Sequence, residues 1–153
     1  MRWEEIDSQT CSMAKALAIF GDRWTLLIIR DAFRKIRRFS DFQKSLGINR
    51  HRLSDRLNRL VEAGILDKRV SEDGGPHKAY RLTEKGIDLY PVLLAVAQWG
   101  DKWECEEDGA PVVFQHRQCG KQTSPRYVCS ECDEVIDARS IIPMPGPGAK
   151  SAI

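Results

Sequence analysis

The sequence predicts a mainly α fold with one β-hairpin, in the α+β class, followed by a small β-rich extension. Three observations predict it: helical periodicity with capping residues before Gly64, strand periodicity after it, and a cysteine-containing segment that precedes a Pro/Gly-rich end. We therefore predict a main domain over 1–105, an extension over 106–142 and a disordered tail over 143–153. Of the 153 residues, 42% are hydrophobic and 30% are charged, which is typical of a globular protein and excludes a disordered chain.

Basic residues are concentrated in the middle of the chain. Between Arg34 and Arg69 there are eleven basic residues and four acidic ones, which gives this window a net charge of +7. Because the whole chain carries +2, the other residues sum to −5. The window has too few carboxylates to pair with its cations, which favours a polyanion-binding surface over a salt-bridged helix face.

Two amphipathic helices should begin the main domain. Thr10 or Ser12 is a candidate cap for the first, which ends at Gly21, and Asp22 is a candidate cap for the second, which runs to about Lys35. On the first helix an apolar stripe is formed by Met13, Ala16, Leu17 and Phe20. On the second helix the positions expected to face inward are Trp24, Leu27, Ile28 and Phe33.

The basic segment contains two further helices joined by a tight turn. Ser40 is placed to cap a helix over 41–46 that ends at Gly47, and Asn49 is placed to cap a longer helix that ends near Ala63. Two helices joined by a three- or four-residue turn that contains glycine form the helix-turn-helix pattern.

The longer of these helices has an apolar face and a polar face. Leu53, Leu57 and Leu60 fall together at 100° per residue, so we expect them to face the core. The outer positions are His51, Asp55, Asn58 and Glu62, with Arg52 and Arg59 on one flank and Arg50 and Arg56 nearer the core edges. Arginine pairs with guanine and asparagine with adenine, and both bind phosphates, so this surface has the chemistry to enter a DNA major groove.

A β-hairpin follows the helix-turn-helix segment. Residues 65–70 and 78–82 have strand periodicity, and they flank a Gly-rich turn at 73–76. This arrangement predicts a winged helix, whose wing can reach a minor groove or a row of phosphates. No Lys-Ser/Thr follows the glycines, which excludes a nucleotide-binding loop. The predicted DNA contacts are Arg38, Ser40, Asn49, Arg50, His51, Arg52, Asp55, Arg56, Asn58, Arg59, Arg69, His77 and Lys78.

A fifth helix is predicted from Glu84 to about Cys105, with Thr83 as its cap and only a mild interruption at Pro91. Its apolar positions are Leu89, Val92, Leu93, Val96, Trp99 and Trp103. This stripe is broader than one small core requires, so we predict that it forms a two-fold dimer interface together with the first helix. The alternative is that the stripe packs on its own domain or on the extension.

The sequence resembles the HxlR family of bacterial winged-helix transcription regulators, which are relatives of the MarR group. The matching stretches are Cys11, 21–30, 38–42, 48–57, 60–66, 80–86 and 97–100. The resemblance implies a homodimer that binds palindromic double-stranded operator DNA, usually as a local repressor, with a small-molecule effector or an oxidant as signal. Ser12 departs from the family pattern, in which proline often follows the cysteine.

Cys11 stands at the start of a helix, where the helix dipole and free N–H groups favour a thiolate. In some relatives the cysteine at this position senses electrophiles or oxidants, so the resemblance implies a redox-sensing role. The alternative is a buried, inert thiol, since no lysine or arginine lies within three residues of Cys11.

The extension contains two pairs of possible metal ligands. His116 and Cys119 form the first pair, Cys129 and Cys132 form the second, and nine residues separate the pairs. Strands predicted at 112–115, 126–128 and 134–136 surround them. Structural Zn²⁺ in a zinc-ribbon-like fold, disulfides or redox-responsive thiols, and reduced cysteines packed on the main domain remain open as interpretations.

The sequence predicts a DNA-binding regulator and not an enzyme, because no nucleophile with a nearby base and no open metal site is evident. One alternative is a thiol–disulfide oxidoreductase that uses Cys129 and Cys132, although the strands flanking them do not fit the usual βαβ context. Another is a zinc-ribbon adaptor for protein or RNA, which leaves the basic segment unexplained. The apolar runs are too short to span a bilayer and the acidic N-terminus does not fit a signal peptide, so we expect no membrane partner and a cytoplasmic location.

Overall fold

The computed structural model describes residues 11–70 and 78–149. The elements in chain order are α1 (Ser12–Phe20), α2 (Arg23–Phe33), α3 (Phe39–Leu46), α4 (Arg50–Glu62), β1 (Leu66–Val70), β2 (Lys78–Leu82), α5 (Glu84–Ile87), α6 (Tyr90–Trp103), β3 (Phe114–Gln115) and β4 (Gln122–Thr123). The chain divides into two compact units between Tyr90 and Pro91. The predicted mainly α fold with a β-hairpin is confirmed, whereas the predicted boundaries at 105 and 142 stay a prediction.

The first helix differs from the prediction in its cap. Cys11, and not Ser12, occupies the N-cap position of α1, and its side chain makes no capping hydrogen bond; Thr10 lies outside the described residues. Only Ala14 is buried, whereas Met13 and Leu17 of the predicted apolar stripe are 72% and 44% exposed. The sequence predicts that this helix contributes to a dimer interface, and that stays a prediction for the single chain.

The second helix forms the centre of the first unit. Asp22 caps α2 as predicted, because its Oδ1 accepts hydrogen bonds from the backbone N–H groups of Trp24 and Thr25, at 3.0 and 3.3 Å. Ile28 and Ile29 are fully buried. The helix ends at Phe33, two residues earlier than predicted, and the chain then turns towards α3.

The helix-turn-helix pattern is formed by α3 and α4. Gly47 ends α3 in the left-handed conformation at φ +60°, and the side chain of Asn49 caps α4 by accepting a hydrogen bond from the N–H of Arg52 at 2.9 Å. Both features were predicted. The inward positions of α4 are also confirmed, since Leu53, Leu57 and Leu60 are 0%, 0% and 1% exposed.

The start of α3 was predicted incorrectly. Arg38 is the N-cap, and Ser40 lies within the first turn, where its hydroxyl donates to Asp41 at 3.3 Å. The reason is tertiary: Arg38 forms a β-bridge with Ala79, and the Arg37 carbonyl accepts the N–H of Tyr80 at 2.8 Å. This pairing holds Arg38 extended, so the helix begins immediately after it.

The predicted hairpin is confirmed as an antiparallel pair. Strands β1 and β2 run in the register that places Leu66 opposite Leu82 and Val70 opposite Lys78. Residues 71–77, which include the predicted Gly-rich turn and His77, lie outside the described residues. The bridge between Arg38 and Ala79 adds a single paired residue beside β2, which the sequence pattern did not reveal.

The predicted fifth helix is two helices. Thr83 caps α5 as predicted, because its Oγ1 accepts the N–H of Gly86 at 3.1 Å. The chain breaks at residues 88–89, and α6 starts at Tyr90. Pro91 explains the break, since it lacks an N–H and its ring clashes with the carbonyl of Ile87 in a continuous helix. The interruption is therefore stronger than predicted.

The second unit contains most of α6 and the cysteine-containing extension. No residue of α6 is fully buried, and Val96, Trp99 and Trp103 are 53%, 60% and 62% exposed. In the extension, β3 pairs with β4, and Val128 forms a bridge with Val135. Of the described helices, none has both the length and the apolar character needed to cross a membrane.

Three predicted strands are shorter than expected in this unit, and one observed strand was missed. The strand predicted at 112–115 is reduced to β3, while those predicted at 126–128 and 134–136 contribute only the single bridge. The missed strand is β4. Such short ladders depend on the turns that join them, and strand periodicity is uninformative over two residues.

Candidate nucleic-acid interface

The outer face of α4 is a polar, exposed surface of the first unit. The predicted DNA contacts that are exposed in the structure are Arg38, Ser40, Asn49, Arg50, His51, Arg52, Asp55, Asn58, Arg59, Arg69 and Lys78. Arg56 is half-buried, and His77 lies outside the described residues. The buried leucine face and the polar face of α4 are therefore arranged as the sequence predicts.

Two arginines on this face are not neutralised by a carboxylate that the structure describes. The side chains of Arg52 and Arg59 form no ion pair with any residue that the structure describes, and both point away from the core. They are seven positions apart, which places them on the same side of the helix about 10 Å apart along its axis. A guanidinium that no carboxylate neutralises is suited to bind a phosphate or a guanine.

Arg56 has a different role, because it connects α4 to α2. Its Nε lies 3.1 Å from Oδ1 of Asp22, and its Nη1 lies 2.6 Å from Oδ2 of Asp55. Burial acts to raise the pKa of Asp22, but the hydrogen bond from Thr25, the charge of Arg56 and two backbone N–H groups together hold that pKa below its ordinary value. The structure therefore places Arg56 in an internal ion pair, and a DNA contact by this residue stays a prediction.

Arg50 and Asn49 link the two helices at the turn. The guanidinium of Arg50 lies 5.3 Å from the centre of the Phe39 ring, at the start of α3. Asn49 uses its side-chain oxygen to cap α4, which leaves its NH₂ group as the donor for an external acceptor. These contacts hold the N-terminus of α4, where a recognition helix meets base edges, in one orientation.

Sequence reasoning missed Arg23, which extends the basic surface. Arg23, Arg52 and Arg56 line an open groove of about 300 Å³ together with Asp22 and Trp24. A cation in the first turn of a helix opposes the helix dipole, so the position of Arg23 at the start of α2 was the available signal that this side chain has a task other than stabilising the helix.

The cations of the wing are less available than those of α4. Nε of Arg69 lies 2.5 Å from Oδ2 of Asp67 on the same strand, and Nζ of Lys68 lies 5.4 Å from the Tyr80 ring centre. Lys78 is exposed at the start of β2. An exposed pair such as Arg69–Asp67 contributes little to stability, so Arg69 can exchange this partner for a phosphate.

Comparison with known proteins gives this surface a family. The HxlR-like helix-turn-helix family matches residues 19–108, which contain the whole of α2 to α6. The chain belongs to the HxlR family. Proteins of this family act in transcription, so the chain is a transcription regulator with a helix-turn-helix DNA-binding domain.

Two similar proteins match the chain over almost its whole length. The HTH-type transcriptional regulator Rv3095 of Mycobacterium tuberculosis (strain H37Rv) is 44% identical over 143 residues, which cover 93% of this chain and 90% of the relative. The solved structure of PA1607, a candidate transcription factor, is 34% identical with a TM-score of 0.83, over 92% of this chain and 98% of that one.

The reduced form of the redox regulator HypR is similar over a shorter length. It is 26% identical with a TM-score of 0.55, and the match covers 60% of this chain and 92% of that one. The HypR match therefore spans a length close to that of the helix-turn-helix domain, whereas the two longer matches also include most of the extension.

The predicted ligand residues of the extension lie in pairs. Nδ1 of His116 is 3.3 Å from Sγ of Cys119. The pKa of the Cys129 thiol is lowered by hydrogen bonds from the backbone N–H groups of Glu131 and Cys132. Within 11–70 and 78–149, no three His, Cys, Asp or Glu side chains converge as a metal-binding group, so the four-ligand zinc site stays a prediction.

The two remaining cysteines are in different surroundings. Cys11 is exposed at the N-cap of α1. The thiol of Cys105 is 3.7 Å from Oδ1 of Asp101, and both partial burial and this carboxylate raise its pKa, so Cys105 is held as a thiol.

Proposed function

We propose that the chain acts as a homodimer that binds two-fold symmetric operator DNA through α4 and represses a nearby gene in the cytoplasm, without catalytic activity. The observation that carries this proposal is the division of α4 into a fully buried leucine face and an exposed face on which Arg52 and Arg59 form no ion pair with any described residue. A helix with this division is held rigidly from behind while its outer side chains remain free to contact base edges.

The phosphate-binding and base-binding parts of the site have different candidates. Asn58 and His51 lie on the outermost line of α4, where hydrogen bonds to base edges form. Arg52 and Arg23 line the groove at the start of α2, and Arg59 lines a second, smaller cavity that shares Asp22 and Arg56 with it; the DNA backbone would run along these two. We expect the first set to determine sequence preference and the second to determine affinity.

The DNA-binding proposal is tested with duplex DNA from the promoter of the protein's own gene. Affinity should fall steeply as salt rises, because each neutralised phosphate releases counterions. Arg52→Ala or Arg59→Ala should reduce affinity, whereas Arg126→Ala, which removes an exposed arginine of the extension, is the matched control and should not. Equal binding by all three variants and the parent protein would contradict the assignment of α4.

Exposed apolar residues support the dimer. Met13 and Leu17 on α1, and Val96, Trp99 and Trp103 on α6, are all more than two-fifths exposed in the single chain. Large apolar side chains that recur along one helix face mark a surface that another protein covers. A two-fold interface of this kind would place two copies of α4 about 34 Å apart, one helical turn of DNA.

The dimer is tested by measuring mass in solution by light scattering. The parent protein should have twice the chain mass, and Trp99→Glu should convert it to a monomer because a carboxylate would be buried in the interface. Val113→Glu is the matched control, since Val113 is also exposed, at 62%, but lies in the extension. A dimer that survives Trp99→Glu and Trp103→Glu together would exclude this face.

We also propose that Cys11 makes the regulator responsive to oxidants. Its thiol is exposed at the N-cap of α1, where an oxidant can reach it, and the similar protein HypR is a redox regulator. Oxidation should lower the affinity for DNA, and Cys11→Ser should abolish this response while Cys105→Ser keeps it. An unchanged response in Cys11→Ser would assign the signal to another group.

A further inference from the structure

Two turns of the extension share one backbone conformation. In the first, the backbone N–H of Gly120 donates to the carbonyl of His116 at 2.8 Å, and the backbone N–H of His116 donates to the carbonyl of Lys121 at 2.9 Å. In the second, the backbone N–H of Asp133 donates to the carbonyl of Cys129 at 2.9 Å, and the backbone N–H of Cys129 donates to the carbonyl of Glu134 at 2.8 Å. The fifth residue of each turn is left-handed, at φ +66° for Gly120 and +58° for Asp133. We call these segments, 116–120 and 129–133, the ligand turns.

Each ligand turn carries two metal-ligand side chains at its first and fourth positions. These are His116 and Cys119 in one turn and Cys129 and Cys132 in the other. Bonds of about 2.05 Å for Zn–N and about 2.3 Å for Zn–S at a tetrahedral angle place the two ligand atoms about 3.5 Å apart. Nδ1 of His116 and Sγ of Cys119 are 3.3 Å apart, so the first pair is already close to the spacing that a tetrahedral ion requires.

The second turn presents its cysteines on a backbone that is closed in the same way as the first. The hydrogen bonds from Asp133 to Cys129 and from Cys129 to Glu134 hold the backbone of this turn, so its first and fourth positions have the same relation as His116 and Cys119. Cys119 and Cys132 are exposed, and no disulfide joins the described cysteines. Both pairs are therefore accessible to an ion.

The extension has little else to stabilise it. From residue 104 to residue 149 no side chain is fully buried, and the ladders are two residues long or a single bridge. Val112, Tyr127, Val128 and Val135 are each about half exposed or more. A segment of this size without an apolar core requires a staple to keep a defined fold.

We propose that the two ligand turns close on one Zn²⁺ within a single chain, with His116, Cys119, Cys129 and Cys132 as its four ligands. One nitrogen and three sulfurs in a tetrahedral set are typical of zinc, and four protein ligands leave no open position, so the site is structural. The nine residues between the turns contain Pro125, whose carbonyl accepts a hydrogen bond from Nε2 of Gln98 at 2.9 Å. Zinc therefore fixes the extension against α6, which carries that glutamine.

The full-length protein, purified without chelator, is tested by elemental analysis and should contain about one zinc per chain. Replacement of zinc by Co²⁺ should give the visible absorption of a tetrahedral thiolate site. Cys119→Ser, Cys132→Ser and His116→Ala should each lose the metal, and His116→Cys should retain it because thiolate replaces imidazole in the same geometry. Cys105→Ser is the matched control, since Cys105 lies outside both turns, and should keep one zinc.

A second measurement reports the structural role. These three side chains of the extension, Arg117, Lys121 and Arg126, are already exposed, and chelation should unfold the backbone around them so that trypsin cleaves there, whereas α2 to α4 should remain resistant. Absence of zinc together with a Cys129–Cys132 disulfide in the intact mass would overturn the proposal. One zinc per two chains, lost in a monomeric variant, would overturn the single-chain site in favour of a site shared between two chains.

Discussion

Replacing Asp22 with alanine should destabilise the first unit by about 2 kcal/mol. The carboxylate has two roles, since it caps α2 through the N–H groups of Trp24 and Thr25 and pairs with Arg56 of α4. Loss of an N-cap costs about 1 kcal/mol. The ion pair is 3.1 Å long, and the side chains of Asp22 and Arg56 are each only 23% exposed, so it should exceed a fully exposed pair and contribute about another 1 kcal/mol.

Asp22→Asn separates the two roles. Asparagine is as good an N-cap as aspartate, so this variant should lose only the ion pair and be destabilised by about 1 kcal/mol. Urea denaturation followed by circular dichroism at pH 7 measures both variants, and combining each with Arg56→Ala gives the coupling energy. If Asp22→Asn is as stable as the parent protein, the pair with Arg56 contributes nothing and the reasoning is refuted.

The pH dependence of the same variants follows from the lowered pKa of Asp22. A carboxylate whose pKa is lower in the folded state contributes stability above its unfolded pKa of about 3.9, and this contribution is lost as pH falls through the folded pKa. The stability difference between the parent protein and Asp22→Asn should therefore be constant from pH 5 to 7 and shrink below about pH 4. A difference that persists unchanged in acid would assign it to something other than the charge.

Three further predictions concern the core, a close backbone contact and the DNA surface. Leu57→Ala should cost about 2–5 kcal/mol in urea denaturation, since the side chain is fully buried behind the polar face of α4; a cost below 1 kcal/mol would mean that the helix is not held by this face. Gly86→Ala should lower the melting temperature, because its Cβ would lie 2.3 Å from the carbonyl oxygen of Ile65, whereas Gly100→Ala in α6, with open space around it, should not. Arg52→Ala should reduce DNA affinity about tenfold and lower the slope of log K against log salt by about 0.9, and an unchanged slope would show that Arg52 contacts no phosphate.

The cations of the basic segment have distinct tasks that composition does not distinguish. Arg37 is directed inward. Its Nη1 donates one hydrogen bond to the carbonyl oxygen of Ala32 and another, 3.0 Å long, to the carbonyl oxygen of Ile36. Burial and the neighbouring charge of Arg81 lower the pKa of Arg37. Arg37 and Arg56 thus stabilise the fold, while Arg52 and Arg59 remain available to DNA, so the charge that faces a ligand is smaller than the net charge of the window.

The sequence by itself determined the features that depend on residues within one turn of each other. The caps at Asp22, Asn49 and Thr83, the left-handed end at Gly47 and the leucine face of α4 are local, because a cap bonds two or three residues ahead and a helix face repeats every three or four. The break before α6 was also local, and the effect of its proline was underestimated.

Tertiary structure decided what depends on residues far apart in the chain. The bridge between Arg38 and Ala79 moved the start of α3, and the packing of α4 on α2 placed Nε of Arg56 3.1 Å from Oδ1 of Asp22. Neither leaves a sequence pattern, because both depend on how the helices and the hairpin pack. The spacing of His116 and Cys119 likewise predicts a pair of ligands, whose Nδ1 and Sγ atoms lie 3.3 Å apart. That the two pairs meet on one ion stays a proposal, because backbone hydrogen bonds act over a few residues, and only packing or a bound ion brings distant turns together.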